Sequence, residues 1–384
     1  MRSFTYDNLG RPASDVLRNS AGQTVASTGY SYDLDDHLTR KTTTGTAGAG
    51  DNRYTYDQAD RLTSRTVGAK TAQYGWDAAG NRTQAGSETA TFDQRNRLQS
   101  QGDTTYSYTP RGTLASKASS GLTERFSFDA FDRLISEGSQ SYAHDGLDRL
   151  ASHNGAAFAY SGQDDEVVAD GTAKYARGAA DELLAIAEGQ GQLDKRLALA
   201  DEHGDVVGDF DPANTTLSAL NDSTAYDPFG EVTVSSGVQS NLGFQGDWTD
   251  PATDQVDMGA RWYDPGSGAF DSRDAVTYGA GASILADRYT YAAGDPLDTS
   301  TWTATGPPAA GAGRSRTRSP ARSARPPATC GLGSPRRRAG RGPGSGRWHT
   351  THGQGSRPRR APSPRRPAGS TTRPGRSCTR LAGR

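Results

Sequence analysis

Few residues in this 384-residue chain have the types and spacing that chemistry requires. The densest group is Asp201–Asp205, where His203 stands among acidic residues and could help to ligate a metal ion. Such sites usually draw on further His or Cys ligands, but no second His lies nearby and residues 1–300 contain no Cys. We therefore interpret His203 as a turn residue and predict neither a metal site nor a cofactor. The sequence also lacks a P-loop and a nucleophile elbow.

A second candidate is a set of arginines, Arg61, Arg97, Arg133 and Arg149, that recurs at one place in a repeated pattern. A row of arginines can bind nucleic-acid phosphates. Residues 1–300, however, contain 24 basic residues against 44 acidic ones. In such an acidic body we expect each arginine to pair with a neighbouring Asp, and we predict no nucleic-acid partner for this part of the chain.

The elements that position these arginines are internal repeats, for which Tyr54–Ser64 serves as the template. Related copies begin at Phe4, Tyr30, Tyr74, Thr91, Tyr106, Phe126 and Tyr142, and a decayed copy begins at Phe158. Two aromatic positions, at i and i+2, share one face of a strand. The following Asp starts a type I turn, and the Gly, Asn or Asp three residues later tolerates a left-handed backbone. An Arg and then a Leu usually begin the return strand.

This pattern predicts antiparallel hairpins, and hence an all-β fold with hardly any other structure through residue 275. The turns are expected at Asp7–Gly10, Asp33–Asp36, Asp57–Asp60, Asp77–Gly80, Asp93–Asn96, Asp129–Asp132 and Asp145–Asp148. Successive key aromatic positions are separated by 26, 24, 20, 16, 16, 20, 16 and 16 residues. Because every interval is even, the repeats keep their apolar side chains on one face. We expect helix only around Asp181–Ala187 or Ala282–Asp287.

Motifs in the later part of the chain resemble a known family. They are Tyr226–Glu231, Leu242–Gly246, Thr249–Pro251, Met258–Pro265 and Ser272–Asp274. Together they are similar to the signature of the RHS repeat-associated core domain, and the preceding copies resemble the YD repeats of the same family. The resemblance covers about residues 1–300. It implies YD-repeat hairpins over residues 1–165 and an RHS repeat-associated core domain over 166–298. For residues 299–384 we predict a disordered, Arg/Pro/Gly-rich basic tail.

In that family, YD hairpins wind into a spiral, hollow β shell, so the resemblance implies an encapsulation or presentation module. The implied partner is the toxin or other polypeptide that the full-length shell encloses, and the implied location of the parent protein is secreted or at the cell surface. Because Met1 falls within a hairpin and no signal peptide is visible, we interpret the chain as a C-terminal fragment. No apolar run approaches the roughly 18 residues of a membrane span. The alternative is a surface adhesion protein that binds glycans through exposed Tyr and Trp.

The resemblance also implies a site for self-cleavage. Family members release the segment after the shell at an aspartate-dependent site, and Asp274, with Arg273 beside it, matches the Ser-Arg-Asp motif of that site. Two carboxyl groups that share one proton can activate water. The second Asp, expected in a later Asp-x-x-Gly element, is missing here, and Ala275–Thr277 replaces the family's Pro-x-Gly. We therefore predict at most a remnant of this enzyme activity.

The tail has an unusual composition. Residues 301–384 contain 19 Arg and no acidic residue, and 79 of these 84 residues are Ala, Pro, Ser, Thr, Arg, Gly, Cys or Trp. All eight have codons with C or G at the second base, as expected when a GC-rich gene is read in a shifted frame. We hypothesise a frameshift near Asp298–Thr301, since regrouping by one base yields an Asp at Trp302–Thr303. The alternative is a genuine disordered Arg/Pro/Gly-rich tail that binds nucleic acid.

Overall fold

The computed structural model of the chain describes residues 1–179, 181–189, 194–220, 222–275 and 287–297. These residues form β-strands and turns, with two single-turn 3-10 helices at Phe244–Gly246 and Ala292–Gly294. The all-β prediction is therefore confirmed for this part of the chain. None of its helices is long and apolar enough to cross a membrane. The predicted disordered tail and nearly all of Ala282–Asp287 lie outside the described residues.

Three antiparallel sheets follow one another along the chain, and within each sheet every strand pairs with the next. The first sheet contains β1 (Arg2–Tyr6), β2 (Pro12–Arg18), β3 (Thr24–Tyr32), β4 (Leu38–Thr44), β5 (Gly50–Tyr56), β6 (Leu62–Val67), β7 (Lys70–Trp76), β8 (Arg82–Ala85), β9 (Glu88–Phe92), β10 (Leu98–Gln101), β11 (Thr104–Tyr108), β12 (Leu114–Ser119), β13 (Leu122–Phe128), β14 (Leu134–Glu137), β15 (Gln140–His144), β16 (Leu150–His153) and β17 (Ala156–Ala157). The second contains β18 (Ala159–Tyr160), β19 (Val167–Ala169), β20 (Ala173–Arg177), β21 (Leu183–Glu188), β22 (Asp194–Ala200), β23 (Val206–Phe210), β24 (Asp222–Tyr226) and β25 (Val232–Ser236). The third contains β26 (Trp248–Thr249), β27 (Val256–Asp257), β28 (Trp262–Asp264) and β29 (Ala269–Phe270).

The predicted hairpin turns are confirmed. In the β5–β6 hairpin, Tyr56 lies opposite Leu62, and the register shifts between Thr55 and Tyr56. The turn closes through a hydrogen bond from the Asp60 N–H to the Asp57 carbonyl, 3.1 Å long. The left-handed position has φ between 59° and 95° in every one of the eight repeats: Gly10, Asp36, Asp60, Gly80, Asn96, Gly112, Asp132 and Asp148. These are the residue types that accept this conformation most readily.

One secondary-structure prediction is wrong. The segment Asp181–Ala187, expected to be helical, is mostly strand β21, which pairs with β20 and β22. Its Leu, Ala and Glu residues favour a helix, but pairing on both sides and burial of Ile186 override that weak preference. The repeat turn also recurs after residue 165, because Asp201–Gly204 and Asp227–Gly230 close with the same backbone hydrogen bonds. The division into a repeat region and a core domain near residue 165 stays a prediction.

The apolar side of the first sheet packs on a later segment, residues 229–275 and 287–291, which we call the core segment. One cluster joins the early hairpins to it: Tyr30, Leu38, Tyr54, Leu62 and Tyr74 lie with Phe229, Phe244, Tyr263, Phe270 and Tyr291. A second joins the late hairpins to it: Leu114, Phe126, Leu134, Tyr142 and Leu150 lie with Leu242, Trp248 and Trp262. Tyr263 and Tyr291, at most 1% exposed, are among the most deeply buried side chains of the described residues. The repeats therefore form a wall whose apolar face is covered by the chain's own polypeptide.

Strand β1 is an edge of the first sheet, since β2 is its only strand partner among the described residues. Phe4 and Tyr6 on this edge are 46% and 56% exposed.

Because unpaired apolar edges promote association, we expect the chain to oligomerise. The double substitution Phe4→Lys and Tyr6→Lys should reduce the oligomerisation. Light scattering checks the result. Leu122→Lys, at a more exposed apolar position away from the edge (78%), should change nothing, and a compact monomeric native chain would contradict the prediction.

Candidate functional site

The side chains of the turn aspartates stabilise the hairpin turns of the wall. Asp57 Oδ1 accepts hydrogen bonds from the backbone N–H groups of Ala59 (2.9 Å) and Arg61 (3.0 Å), and Oδ2 accepts one from Arg61 Nε (2.9 Å). Burial alone would raise the pKa of Asp57, but the Arg61 guanidinium and these N–H groups outweigh it and lower the pKa. The same Asp–Arg pairs occur at Arg97, Arg133 and Arg149. The predicted pairing of the repeated arginines is therefore confirmed.

Each of these arginines also reaches the next repeat, which the sequence did not reveal. Arg61 Nη1 donates to the carbonyl of Asp77 (3.1 Å), and its guanidinium lies 5.7 Å from the ring centre of Trp76. Trp76 Nε1 in turn donates to the carbonyl of Leu62 (2.8 Å). Arg11 and Arg149 make corresponding contacts with the carbonyls and aromatic rings that follow them. We call this chain of contacts the turn ladder, and it explains why Asp, Arg and the aromatic residue recur together.

The turn ladder gives a direct stability prediction. Asp57→Ala removes a carboxylate that satisfies two backbone N–H groups and holds Arg61 in place, so we expect a loss of about 2–3 kcal/mol in the free energy of unfolding. Chemical denaturation measures the loss. Gln58→Ala, at the exposed tip of the same turn, should change the stability by less than about 0.5 kcal/mol. Equal effects of the two substitutions would show that the turn carboxylate is unimportant.

The Ser272–Asp274 segment is held against the wall by backbone hydrogen bonds. The Leu114 N–H donates to the carbonyl of Asp271 (2.8 Å), and the Asp274 N–H donates to the carbonyl of Arg288 (2.8 Å). Tyr289 then donates through its hydroxyl to the carbonyl of Gly112 (2.8 Å). The segment is thereby fixed between the β11–β12 turn and residues 287–289.

The two predicted site residues lie in different surroundings. Asp274 is half-buried, and its Oδ2 is 3.4 Å from Nη2 of Arg261. Arg261 also donates to the carbonyl of Arg288 (3.1 Å), and its guanidinium lies 3.6 Å from the ring centre of Phe270. Arg273, by contrast, is exposed and lies beside Gly112. Sequence reasoning missed Arg261 as a partner of Asp274, although it lies within one of the motifs that carried the family resemblance.

A group of buried carboxyl side chains lies next to this segment. Burial, followed by the charge of Glu137, raises the pKa of Asp271 well above its usual range. Burial, followed by the charge of Glu124, raises the pKa of Glu137 to about 8. Lys117 Nζ lies 3.1 Å from Asp264 Oδ2 and supplies the nearby positive charge. Glu137 therefore remains largely protonated at neutral pH, and the raised pKa of Asp271 favours its protonated form in the same way.

The chemistry available at Asp274 depends on a second carboxyl group. The hypothesised partner, at the position read as Trp302–Thr303, lies outside the described residues, as does Val276–Ala286. Arg261 can hold the carboxylate of Asp274 in one orientation. Cleavage of a peptide bond by general acid–base catalysis, however, needs two groups, one protonated and one deprotonated. The role of Asp274 and Arg273 in self-cleavage stays a prediction.

Two turns gather groups that could bind a cation. Asp33, Asp35 and His37 have ligand atoms within 4.8 Å of one another. Asp33 Oδ1, however, already accepts hydrogen bonds from the N–H groups of Asp35 and His37 (2.9 Å each), as in the other repeat turns. His203 lies in a turn, as predicted, and its Nδ1 is 2.9 Å from Asp205 Oδ1. Both arrangements are explained by turn formation.

Comparisons with known proteins agree with this geometry. A sequence model of the Teneurin YD-shell family matches residues 1–296. A crystal structure of TcdB2-TccC3-Cdc42 resembles the chain with a TM-score of 0.55 and 14% identity, over 79% of this chain and 18% of that one. The Photorhabdus luminescens Tc holotoxin pore, with a mutation in TccC3, gives 0.55 and 13% over 80% and 18%. The chain thus spans under a fifth of these structures, and no curated protein matches it.

Proposed function

Since this chain belongs to the teneurin YD-shell family, we propose that it forms a section of the wall of a shell that encloses another polypeptide, a toxin in the full-length parent. The parent would then act outside the cell or at its surface. The Tc toxin structures named above share the fold, which supports this proposal at the level of architecture.

The observation that carries the proposal is the covered apolar face of the wall. The early repeats pack on Phe229, Phe244 and Tyr291, and the late repeats pack on Trp248 and Trp262. A wall that serves to hold polypeptide needs this kind of face, apolar and continuous from one repeat to the next. The turn ladder suits the same purpose, because it links each repeat to its neighbour, and its aromatic rings, such as Trp76, pack against the same apolar cluster.

The carbohydrate-binding alternative required exposed Tyr and Trp faces on the repeats. The repeated aromatic residues Tyr30, Tyr54, Tyr74 and Tyr142 are instead less than a tenth exposed. Glycan sites commonly present aromatic faces to the sugar, and here those faces contact the core segment. We therefore favour enclosure of polypeptide over glycan binding.

Protection from a protease tests enclosure. A recognition sequence for a site-specific protease is inserted in the full chain after residue 310, and separately in the β12–β13 turn at Ser120–Gly121, which faces open space. If the wall shelters the segment that follows it, we expect the site after residue 310 to be cut about ten times more slowly in the native protein. Both sites should be cut equally fast in denaturant, and equal rates in the native protein would refute enclosure by this chain.

We also propose that residues after Asp298 are read in a shifted frame, so that this chain carries no toxin and has lost one carboxyl group of a self-cleavage site that included Asp274. The composition of residues 301–384 supports the shift. The position of Asp274 beside Arg261, in a segment fixed on both sides, supports its assignment as the remaining carboxylate.

A further inference from the structure

A half-buried lysine connects the first two sheets. Lys41, on β4, forms an ion pair with Oδ2 of Asp201, at the start of the β22–β23 turn. The Asp201 side chain is only 2% exposed and that of Lys41 is 18% exposed. The two residues are 160 positions apart in sequence. No other turn aspartate of the described repeats is paired in this way with a lysine, because the turn arginine usually takes that place.

The turn at Asp201 differs in its fifth residue from the five repeat turns that carry an arginine there, namely Arg11, Arg61, Arg97, Arg133 and Arg149. It carries a second acid, Asp205, which is 5% exposed. Asp201 Oδ1 accepts hydrogen bonds from the backbone N–H groups of His203 (2.9 Å) and Asp205 (3.2 Å). The carboxyl group of Asp201 is therefore held with one oxygen in a cradle of two N–H groups and the other oxygen against the amine of Lys41.

Asp205 is itself fixed. Its Oδ1 accepts a hydrogen bond from the Gln245 N–H (3.0 Å) and lies 2.9 Å from Nδ1 of His203. Its charge acts on Lys41, as does that of Asp201. The buried rings of Tyr30 and Tyr54 lie close by, and the Tyr30 hydroxyl accepts a hydrogen bond from the Glu202 N–H (3.2 Å). The amine of Lys41 and the carboxyl groups of Asp201 and Asp205 thus lie together beside aromatic rings, at a site with little access for water.

We propose that Lys41 and Asp201 join in a spontaneous isopeptide bond. Within the ion pair, a proton passes from Nζ to Oδ2, which leaves a neutral amine and a neutral carboxylic acid. The amine attacks Cγ of Asp201, the C–N bond forms, and negative charge develops on Oδ1 within the cradle of N–H groups. Asp205 carries the second proton from Nζ to the departing hydroxyl, the C–Oδ2 bond breaks, and one water molecule leaves. Atoms and charges balance without any oxidant or external group.

The geometry favours this bond for two reasons. Reacting groups held in contact gain the advantage of an intramolecular reaction, and the buried site limits the return of water that would hydrolyse the amide. The charges of Asp201 and Asp205 outweigh the effect of burial and raise the pKa of Lys41, so the neutral pair is a minor species. We therefore expect the bond to accumulate slowly after folding, and to tie the first sheet covalently to the second.

Mass spectrometry of the purified full chain tests the proposal. After prolonged incubation, the intact mass under denaturing conditions should be lower than the sequence mass by one water molecule, and a tryptic digest should contain a branched peptide joining Lys41 to Asp201. A sample kept in guanidinium from the start should retain the sequence mass. An incubated native chain that keeps the sequence mass, with Lys41 and Asp201 in separate peptides, overturns the proposal.

Two variants separate the bond from a simple ion pair. Lys41→Arg keeps the positive charge but lacks the amine, so it should keep the sequence mass. Asp205→Asn removes the proton carrier while leaving Lys41 and Asp201 in place, and we expect the bond to form at least about a hundredfold more slowly. Circular dichroism shows whether each variant is folded. Bond formation in Asp205→Asn at the native rate would overturn the role assigned to Asp205. If a variant fails to fold, the mass of the native chain alone tests whether the bond forms.

Discussion

Replacing Glu137 by Gln should make the protein more stable than the native chain in alkaline solution, by on the order of 4 kcal/mol at pH 9. Glu137 is 2% exposed, and its Oε2 has no hydrogen-bond partner among the described residues. Burial and the charge of Glu124 raise its pKa from 4.5 to about 8. The folded state therefore binds a proton that the unfolded state releases in weak acid. Gln resembles the protonated side chain and does not titrate.

The sign follows from the raised pKa. The native chain has the full benefit of protonated Glu137 below about pH 4.5 and loses it progressively as the pH rises through about 8. Denaturant unfolding at pH 4, 7 and 9 should show equal stability of the two proteins in acid and a widening gap above it. Glu88→Gln, at an exposed position in the same sheet, should follow the native chain. A native curve that is flat between pH 5 and 9 would contradict the assigned burial.

The hairpin turns were predictable because their determinants are local. Asp57, Asp60 and Arg61 lie within five residues, and their types alone specify a type I turn, a left-handed residue and an ion pair. Leu62 then restores the apolar face. The same logic found six further turns. Local preference failed at Asp181–Ala187, where helix-favouring residues are overridden by pairing with strands on both sides.

Contacts between distant parts of the chain could not be predicted in this way. Nothing in the sequence around Lys41 points to Asp201, and nothing around Glu137 indicates burial beside Asp271, because both depend on how the sheets pack. The partner of Asp274 was only partly predictable, because it lies in a motif that the sequence analysis singled out but not next to Asp274 in the chain. Arg273 was the obvious neighbour in sequence, but adjacent residues in an extended segment point in different directions, and Arg261 from β27–β28 contacts the carboxylate instead.

Restoring the reading frame by one base near Thr299 should convert a chain that stays intact into one that cuts itself. The native chain offers Asp274 alone at the proposed site, so we expect it to remain full length on prolonged incubation. The corrected frame should place an Asp at the position now read as Trp302–Thr303. One carboxyl group can then act as the general acid and the other as the general base in cleaving a peptide bond, whereas a single carboxyl group cannot take both roles at once.

Gel electrophoresis and mass spectrometry of the corrected protein should show two fragments, with the cut near the restored Asp. Asp274→Asn in the corrected protein should slow the cut at least about a hundredfold, since it removes one of the two acid–base groups. The corrected protein with Asp254→Asn, at a turn remote in sequence from the site, is the matched control and should cleave normally.

Self-cleavage of the present chain would show that a second carboxyl group is unnecessary, and it would remove the chemical support for the frameshift. The Arg-rich segment would then need a role of its own, and salt-dependent binding to nucleic acid would be the first property to measure.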